Sequence, residues 1–262
     1  KIIEVYPHYY MDSANRKTGS DKMPDIFAAY ADTAHAVNKM GLVADIAAYM
    51  TKEEQNEYMD SYMREGRLDG NDALKVFPIA KSTEVLYVNQ TLFDRFAAGT
   101  GASADLLSTF EGLAELSKMY YEWSGGKQFY AADSWFNFAE VGMAQLGDSI
   151  FDGEALSLDG DNFTHIFKTV YAPAVEGGIA IYDGYSSDLS KTGDLVCSTG
   201  SSAGILFYGD TITYADGTVE NVEYSILPYP VFENGTKTAL QRGGGLMVAK
   251  SEEKKEYAAG VF

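Results

Sequence analysis

Residues 194–210 read "DLVCSTGSSAGILFYGD". An apolar run, Leu195 to Cys197, leads into a cluster of small residues, and Gly200 to Gly204 satisfies the pattern G-x-S-x-G. In hydrolases that pattern places a nucleophilic serine on a sharp strand-to-helix turn. The same residues suit a second role. A strand expected to end at Cys197 is followed by Ser198, Thr199, Ser201 and Ser202 with Gly200 and Gly204, and then by an expected helix start. Small side chains let backbone N–H groups approach a ligand, and hydroxyls beside a helix N-terminus offer donors to sugar oxygens or to an anion. A plain helix-capping turn with no ligand is the third reading.

The histidines weigh against the nucleophile. In elbow-type hydrolases the order along the chain is Ser, acid, His. Here His8, His35 and His165 all precede Ser202.

The strand-then-helix rhythm of this stretch repeats outward from it. Residues 2–7 and Ile26–Phe27 read as strands, and the second runs into a helix stopped at Gly41. Thr51 to Glu54 fits a capping box opening a helix through Tyr62. Val85–Val88 follows the breaker Pro78 as a strand. Ser108 to Glu111 fits a second capping box, and Leu113, Leu116, Tyr120 and Trp123 then recur at core-facing helical spacing. Helices are also expected over "SWFNFAEVGMAQLG" and in the second half of "FDGEALSLDGDNFTHIFKTVY". "VEYSILPYPVFENGTKTALQRGGGLMVAK" reads as strand, Pro-rich connector, turn and Gly-rich strand. Strands alternating with helices imply an α/β protein with largely parallel sheets.

Bulk composition narrows the function classes. The 262 residues suffice for one large domain or two smaller ones. A net charge of −18 opposes binding to nucleic acid or to anionic lipid, both of which need clustered Lys and Arg. The one cysteine, Cys197, allows neither an internal disulfide nor a cysteine metal site, and its apolar neighbours make it a buried hydrophobe. No run reaches the roughly 18 apolar residues of a membrane span. The chain opens on Lys1 directly into a strand and closes soon after the cap Ser251, so both ends are expected to be cut from something longer.

Other chemistry finds little support. No two histidines stand at i, i+4, and Asp159–Asn162 lacks the sixth-place Gly and terminal Glu of a calcium loop. Gly243–Gly245 leads into a strand, the wrong element for a dinucleotide fingerprint. No cofactor is called for. A pair of carboxylates set for glycosidase work is compatible with the 38 acidic residues. The 19 tyrosines and 14 phenylalanines suit both a core and a carbohydrate's mixed faces.

Five segments in order, "MPDIFAAYADTA", "FPIAKSTEVLYVNQTLFD", "DLVCSTGSSAG", "ILPYPV" and "QRGGGLMVAKSEEKKEYAAGVF", resemble family 1 extracellular solute-binding proteins over about 24–262. The STEVLYVN and STGSSAG segments are most similar to the glycerol-3-phosphate-binding branch; the maltose- and oligosaccharide-binding branches share the plan. The resemblance implies a periplasmic-binding-protein-like type II α/β fold, with two lobes joined by a hinge and a ligand cleft between them, and part of lobe one missing. Lobe one would comprise 1–84 and 228–262, and lobe two 85–227. The crossings would lie near Ser82 to Val85 and Leu227 to Pro230.

The implied function is delivery of a carbohydrate or polyol-phosphate to the transmembrane subunits of an ABC permease by a monomeric protein. It would be extracellular, lipid-anchored at the cell surface or periplasmic, with any anchor outside this sequence. The ligand contacts implied are Tyr30 and Asp32 after the PDIF strand, and Ser82 and Glu84 in the hinge segment. Asp133, Ser134 and Trp135 would come from a lobe-two loop that offers a stacking aromatic. Gly200, Ser201 and Ser202 would come from the small-residue loop, and Arg242, Gly243 and Gly244 from the returning strand edge. A secreted carbohydrate-active hydrolase, glycosidase or esterase, is the alternative, and a surface adhesion module a third.

Overall fold

A computed structural model describes residues 3–4, 24–153 and 155–261. His8 and most of the strand expected over residues 2–7 lie outside these residues. In chain order the strands are β1 Ile3–Glu4, β2 Ile26–Ala29, β3 Phe77–Pro78, β4 Glu84–Asn89, β5 Tyr130–Ala132, β6 Phe151–Asp152 and β7 Ala155–Leu156, then β8 Ile179–Ala180, β9 Cys197–Ser201, β10 Thr211–Thr213, β11 Val219–Asn221, β12 Tyr224–Pro228 and β13 Gly245–Val248. The helices are α1 Ala31–Lys39, α2 Lys52–Asn56, α3 Asp60–Glu65, α4 Gln90–Thr100, α5 Phe110–Ser124, α6 Trp135–Gln145, α7 Asp161–Glu176, α8 Ser186–Lys191 and α9 Glu253–Val261.

The chain forms two compact units, residues 1–81 with 242–262, and residues 82–241. Residues 228–241, which the sequence reading gave to lobe one, therefore pack with the second unit. Their anchor is Phe232, fully buried, whose amide donates to Gln145 Oε1 at 3.0 Å while Gln145 Nε2 donates to the Pro230 carbonyl at 2.9 Å.

The first unit holds a sheet in the order β1-β2-β13-β3, with β13 antiparallel to both neighbours and β1 parallel to β2. Phe27 and Met247, on facing strands, are fully buried with Val37 of α1. Helix α1 ends as expected, at Gly41, whose φ of 71° needs a residue without a Cβ. The capping box at Thr51 is present: Thr51 Oγ1 accepts the Glu54 amide and Glu54 reaches back to the Thr51 amide. The helix it opens stops at Asn56 and a separate α3 follows, where one helix to Tyr62 was expected. The break lets Tyr58 pack edge-on against Phe77 at 5.0 Å.

The second unit is built on the sheet β12-β4-β9-β5-β8. The sheet is mixed, which corrects the expected largely parallel one. β5 is parallel to β8 and β9, but β4 is antiparallel to β9 and to β12. The cause is directional. β4 begins at the sheet edge where β5, β8, β9 and β12 end, because the chain enters this unit at that edge through Ser82 and Thr83. A core of Phe93, Phe96, Leu113, Leu116 and Phe129 fills the space under α4 and α5.

Two helix expectations need correction here. Thr109, not Ser108, caps α5, accepting the Gly112 amide at 3.0 Å. Ser108 is held in the preceding 3-10 turn, and Glu111 is drawn away to His165 Nε2 and the Glu233 amide. Trp123 is 41% exposed, lying over Gly99 at the helix surface, whereas Leu113, Leu116 and Tyr120 are core as expected.

Candidate functional site

The small-residue stretch is itself strand, not loop. Cys197–Ser201 forms β9 throughout, and its end pairs with the start of β4 in the register Glu84 with Ser201 and Val85 with Gly200. A short 3-10 turn, Ser202–Phe207, follows in place of the expected α-helix start. The strand extends because Ser201 and Ser202 find backbone partners along the entering segment. The Ser202 amide donates to the Thr83 carbonyl at 2.7 Å, and Ser202 Oγ accepts the Thr83 amide at 3.2 Å. Ser201 Oγ donates to Ser82 Oγ at 3.3 Å.

The chain's polar groups gather at this edge of the sheet, the C-terminal edge of the parallel strands, where open α/β sheets bind ligands. Directly after β5, Asp133 turns out of the sheet and its amide donates to the Thr199 carbonyl at 3.0 Å. Its Oδ1 accepts the Ser186 amide at 2.8 Å. Its Oδ2 lies against Gly200: a Cβ there would stand 2.4 Å from that oxygen. A side chain at 200 would displace the carboxylate beside it. Ser134 caps α6 by accepting the Asn137 amide at 3.2 Å. Asn137 Nδ2 donates to Glu84 Oε1 at 2.8 Å, and the Glu84 side chain, at the first position of β4, is only 4% exposed.

Tyrosines support this edge from below. Tyr87 and Tyr208 stack with centroids 4.2 Å apart, and Tyr87 Oη donates to the Ser201 carbonyl at 2.8 Å. Tyr208 Oη bonds Ser198 Oγ at 2.8 Å and Ser186 Oγ at 3.2 Å. Tyr130 Oη bonds Thr199 Oγ1 at 2.8 Å. Burial lifts Tyr208 to about 12 and raises Tyr130 well above the ordinary phenol value, so both act as neutral donors and acceptors. Burial likewise pushes the Cys197 thiol up, which removes its nucleophilic form. Sequence reasoning missed Tyr87, Asn137, Ser186 and Tyr208. Asn137 carried a faint signal, three residues past the capping Ser134; the others carried none.

Of the residues singled out from sequence, Ser82, Glu84, Asp133, Ser134, Gly200, Ser201 and Ser202 come together here. Trp135 opens α6 beside them, but its ring meets Tyr130 and Phe138 edge-on. It lines a separate groove of about 450 Å³ with Phe163, Phe167, Val170 and Tyr171. That groove is walled by apolar side chains and lacks the converging polar groups that orient a hydrophilic solute.

The remaining candidates belong to the first unit. Tyr30 precedes α1 and is 56% exposed, and Asp32 is the second residue of that helix. Arg242 half-emerges ahead of β13. Gly243 and Gly244 have a packing cause: a Cβ on Gly243 would stand 2.3 Å from the Ala80 carbonyl, and one on Gly244 3.2 Å from that of Ala29.

A family profile described as bacterial extracellular solute-binding protein matches residues 7–262. No curated protein sequence matches at a significant level. Among solved structures, UgpB from Mycobacterium tuberculosis in complex with glycerophosphocholine is similar at a TM-score of 0.76 and 16% identity, covering 97% of this chain and 61% of that one. The cyclic alpha-maltosyl-1,6-maltose binding protein from Arthrobacter globiformis has a TM-score of 0.73 at 15% identity, covering 98% of this chain and 64% of that one. The ABC substrate-binding protein Lmo0181 from Listeria monocytogenes, in complex with cycloalternan, has a TM-score of 0.69 at 16% identity, covering 97% and 64%. The chain therefore spans less than two thirds of the length of these solved proteins, and at such identities they establish the fold.

Proposed function

The chain belongs to the bacterial extracellular solute-binding protein family, with the mixed fold of type II periplasmic binding proteins, and from that premise we propose that its polar strand edge holds a carbohydrate or polyol-phosphate for delivery to an ABC permease outside the cytoplasmic membrane. One observation carries the reading. Two carboxylates, an amide and a row of hydroxyls converge at one sheet edge, held by backbone bonds and by buried tyrosines. Such a set recognises hydroxyls by hydrogen bonding and contains no activated nucleophile. Ser202, the residue on which a hydrolase reading depends, has its oxygen engaged by the Thr83 amide. The solutes bound by the similar structures, glycerophosphocholine and cycloalternan, are both rich in oxygen. Surface-anchored and periplasmic placement both follow from this reading. No described helix is long and apolar enough to cross a membrane.

A thermal-shift screen with maltose, cyclic oligosaccharides, glycerol 3-phosphate and glycerophosphocholine tests the proposal. A solute present at about 100 times its Kd adds about 2.7 kcal/mol of stability. Stabilisation by at least one member is expected, and no response across the panel overturns the reading.

A further inference from the structure

Asp133 is exposed at the polar edge, yet it is fixed by contacts that reach well beyond its own loop. Its Oδ1 takes the amide of Ser186, the first residue of α8. Ser186 is almost fully buried and is held twice more: its carbonyl accepts Ser190 Oγ at 3.0 Å, and its Oγ bonds Tyr208 Oη at 3.2 Å. Tyr208 Oη also bonds Ser198 Oγ on β9, two residues before Gly200, the glycine on which Asp133 Oδ2 rests. Hydrogen bonds run from Asp133 to Ser186, Tyr208 and Ser198, and the Asp133 amide closes the loop on the carbonyl of Thr199, the residue after Ser198 on β9. Helix α8 and strand β9 are thus tied together through one phenol. The ring is clamped by its stack on Tyr87 and by an edge contact with Tyr224 at 5.2 Å.

We propose that Tyr208 is a positioning residue for solute binding, setting the orientation of the Asp133 carboxylate through Ser186 from one side while Gly200 sets it from the other. This inference rests on the solute-binding role proposed above. A rigid carboxylate accepts a pair of neighbouring hydroxyls with both oxygens and loses little freedom when it does so. Without the phenol oxygen, Ser186 keeps its place in the helix but its side chain loses the tie to β9, and the Asp133 acceptor is left with one fixed side.

The test uses the full 262-residue chain with maltose and glycerophosphocholine as probes. Tyr208→Phe keeps the ring stack and removes only the hydroxyl. It is expected to weaken binding about five- to tenfold. Gly200→Ala, which drives a methyl into Asp133 Oδ2, is expected to weaken it at least as much. Gly160→Ala, at the start of α7, whose Cβ would meet nothing within 4 Å, leaves affinity unchanged. The decisive step is a double-mutant cycle. If Tyr208 acts through Asp133, Tyr208→Phe adds no further loss in an Asp133→Ala background; an undiminished loss there overturns the inference. A measurement without ligand runs beside it. The Ser186 amide is expected to exchange its hydrogen about tenfold faster in Tyr208→Phe, and unchanged exchange overturns the inference. Failure of the parent protein to bind either probe counts against the solute role for these compounds, and the Ser186 exchange still decides the role of Tyr208.

Discussion

Ser202 and Thr83 hold each other by two bonds: the Ser202 amide donates to the Thr83 carbonyl at 2.7 Å, and the Thr83 amide donates to Ser202 Oγ at 3.2 Å. The serine of the elbow-like motif is thus a strand-closing residue, tying the end of β9 to the segment by which the chain enters the second unit. Ser202→Ala removes one of the two bonds, at about 1 kcal/mol. Chromogenic esters and glycosides should be left untouched by the parent and the variant alike. Turnover in the parent that disappears in the variant would restore the hydrolase reading.

Glu84 is a buried carboxylate whose Oε1 accepts from the Asn137 side-chain Nδ2. Glu84→Gln keeps an acceptor oxygen in place and should fold with little loss. Glu84→Leu leaves Asn137 facing an apolar side chain, which costs about 1–3 kcal/mol for the unmet donor. Urea titration of the two variants separates them, and equal midpoints would show that the Asn137 contact contributes nothing.

Gly66 ends α3 where the backbone of the next segment passes over it, with the Lys75 and Val76 amides both donating to its carbonyl. A Cβ at 66 would stand 2.0 Å from the Val76 carbonyl oxygen and 2.8 Å from Leu74 Cδ1. Gly66→Ala should therefore destabilise the first unit by at least about 2 kcal/mol, at the upper end for forced overpacking. Gly70→Ala, where nothing lies within 4 Å but φ is 66°, should cost only about 1 kcal/mol from backbone strain. Thermal unfolding of the two variants compares them directly.

Alkaline pH acts through the buried phenols. Burial raises both Tyr120 and Tyr208 from the ordinary value of 10.0 to about 12. Below pH 10 these groups are protonated folded and unfolded, so their stabilising contribution is complete. Between 10 and 12 only the unfolded chain releases the protons, and stability falls by up to about 1.4 kcal/mol per pH unit for each tyrosine. Denaturation curves from pH 8 to 12 should show a plateau followed by this decline. Tyr208→Phe should make the decline shallower by one proton's worth, and an identical slope would contradict the burial assigned to that phenol.

How much of this was legible beforehand depends on the range of the physics involved. Caps and stops that act within a few residues read well: the Thr51 box and the Gly41 terminus were visible as local patterns. The second capping box misled because Glu111 has better partners in His165 and Glu233, which lie 54 and 122 residues away. STGSS looked like a loop because its residues are small and polar. Ser198–Ser201 are strand because β4 runs beside them and Asp133 occupies the space next to Gly200, and neither neighbour is close in sequence. The site residues found in advance share short stretches with recognisable motifs. Ser186 lies in no such stretch, and Tyr208, four residues past the G-x-S-x-G pattern, has no place in that pattern; both enter the site only through the fold, by way of a hydroxyl contact and a ring stack.

The most direct measurement is a two-dimensional NMR titration of the amide-labelled protein with the best-stabilising solute of the thermal screen. The account predicts that the amides of Asp133, Ser134, Asn137, Ser186 and Gly200 to Ser202 shift together and saturate along one binding curve. Shifts confined to the apolar groove around Phe163, Phe167 and Tyr171, with the sheet edge silent, would contradict it.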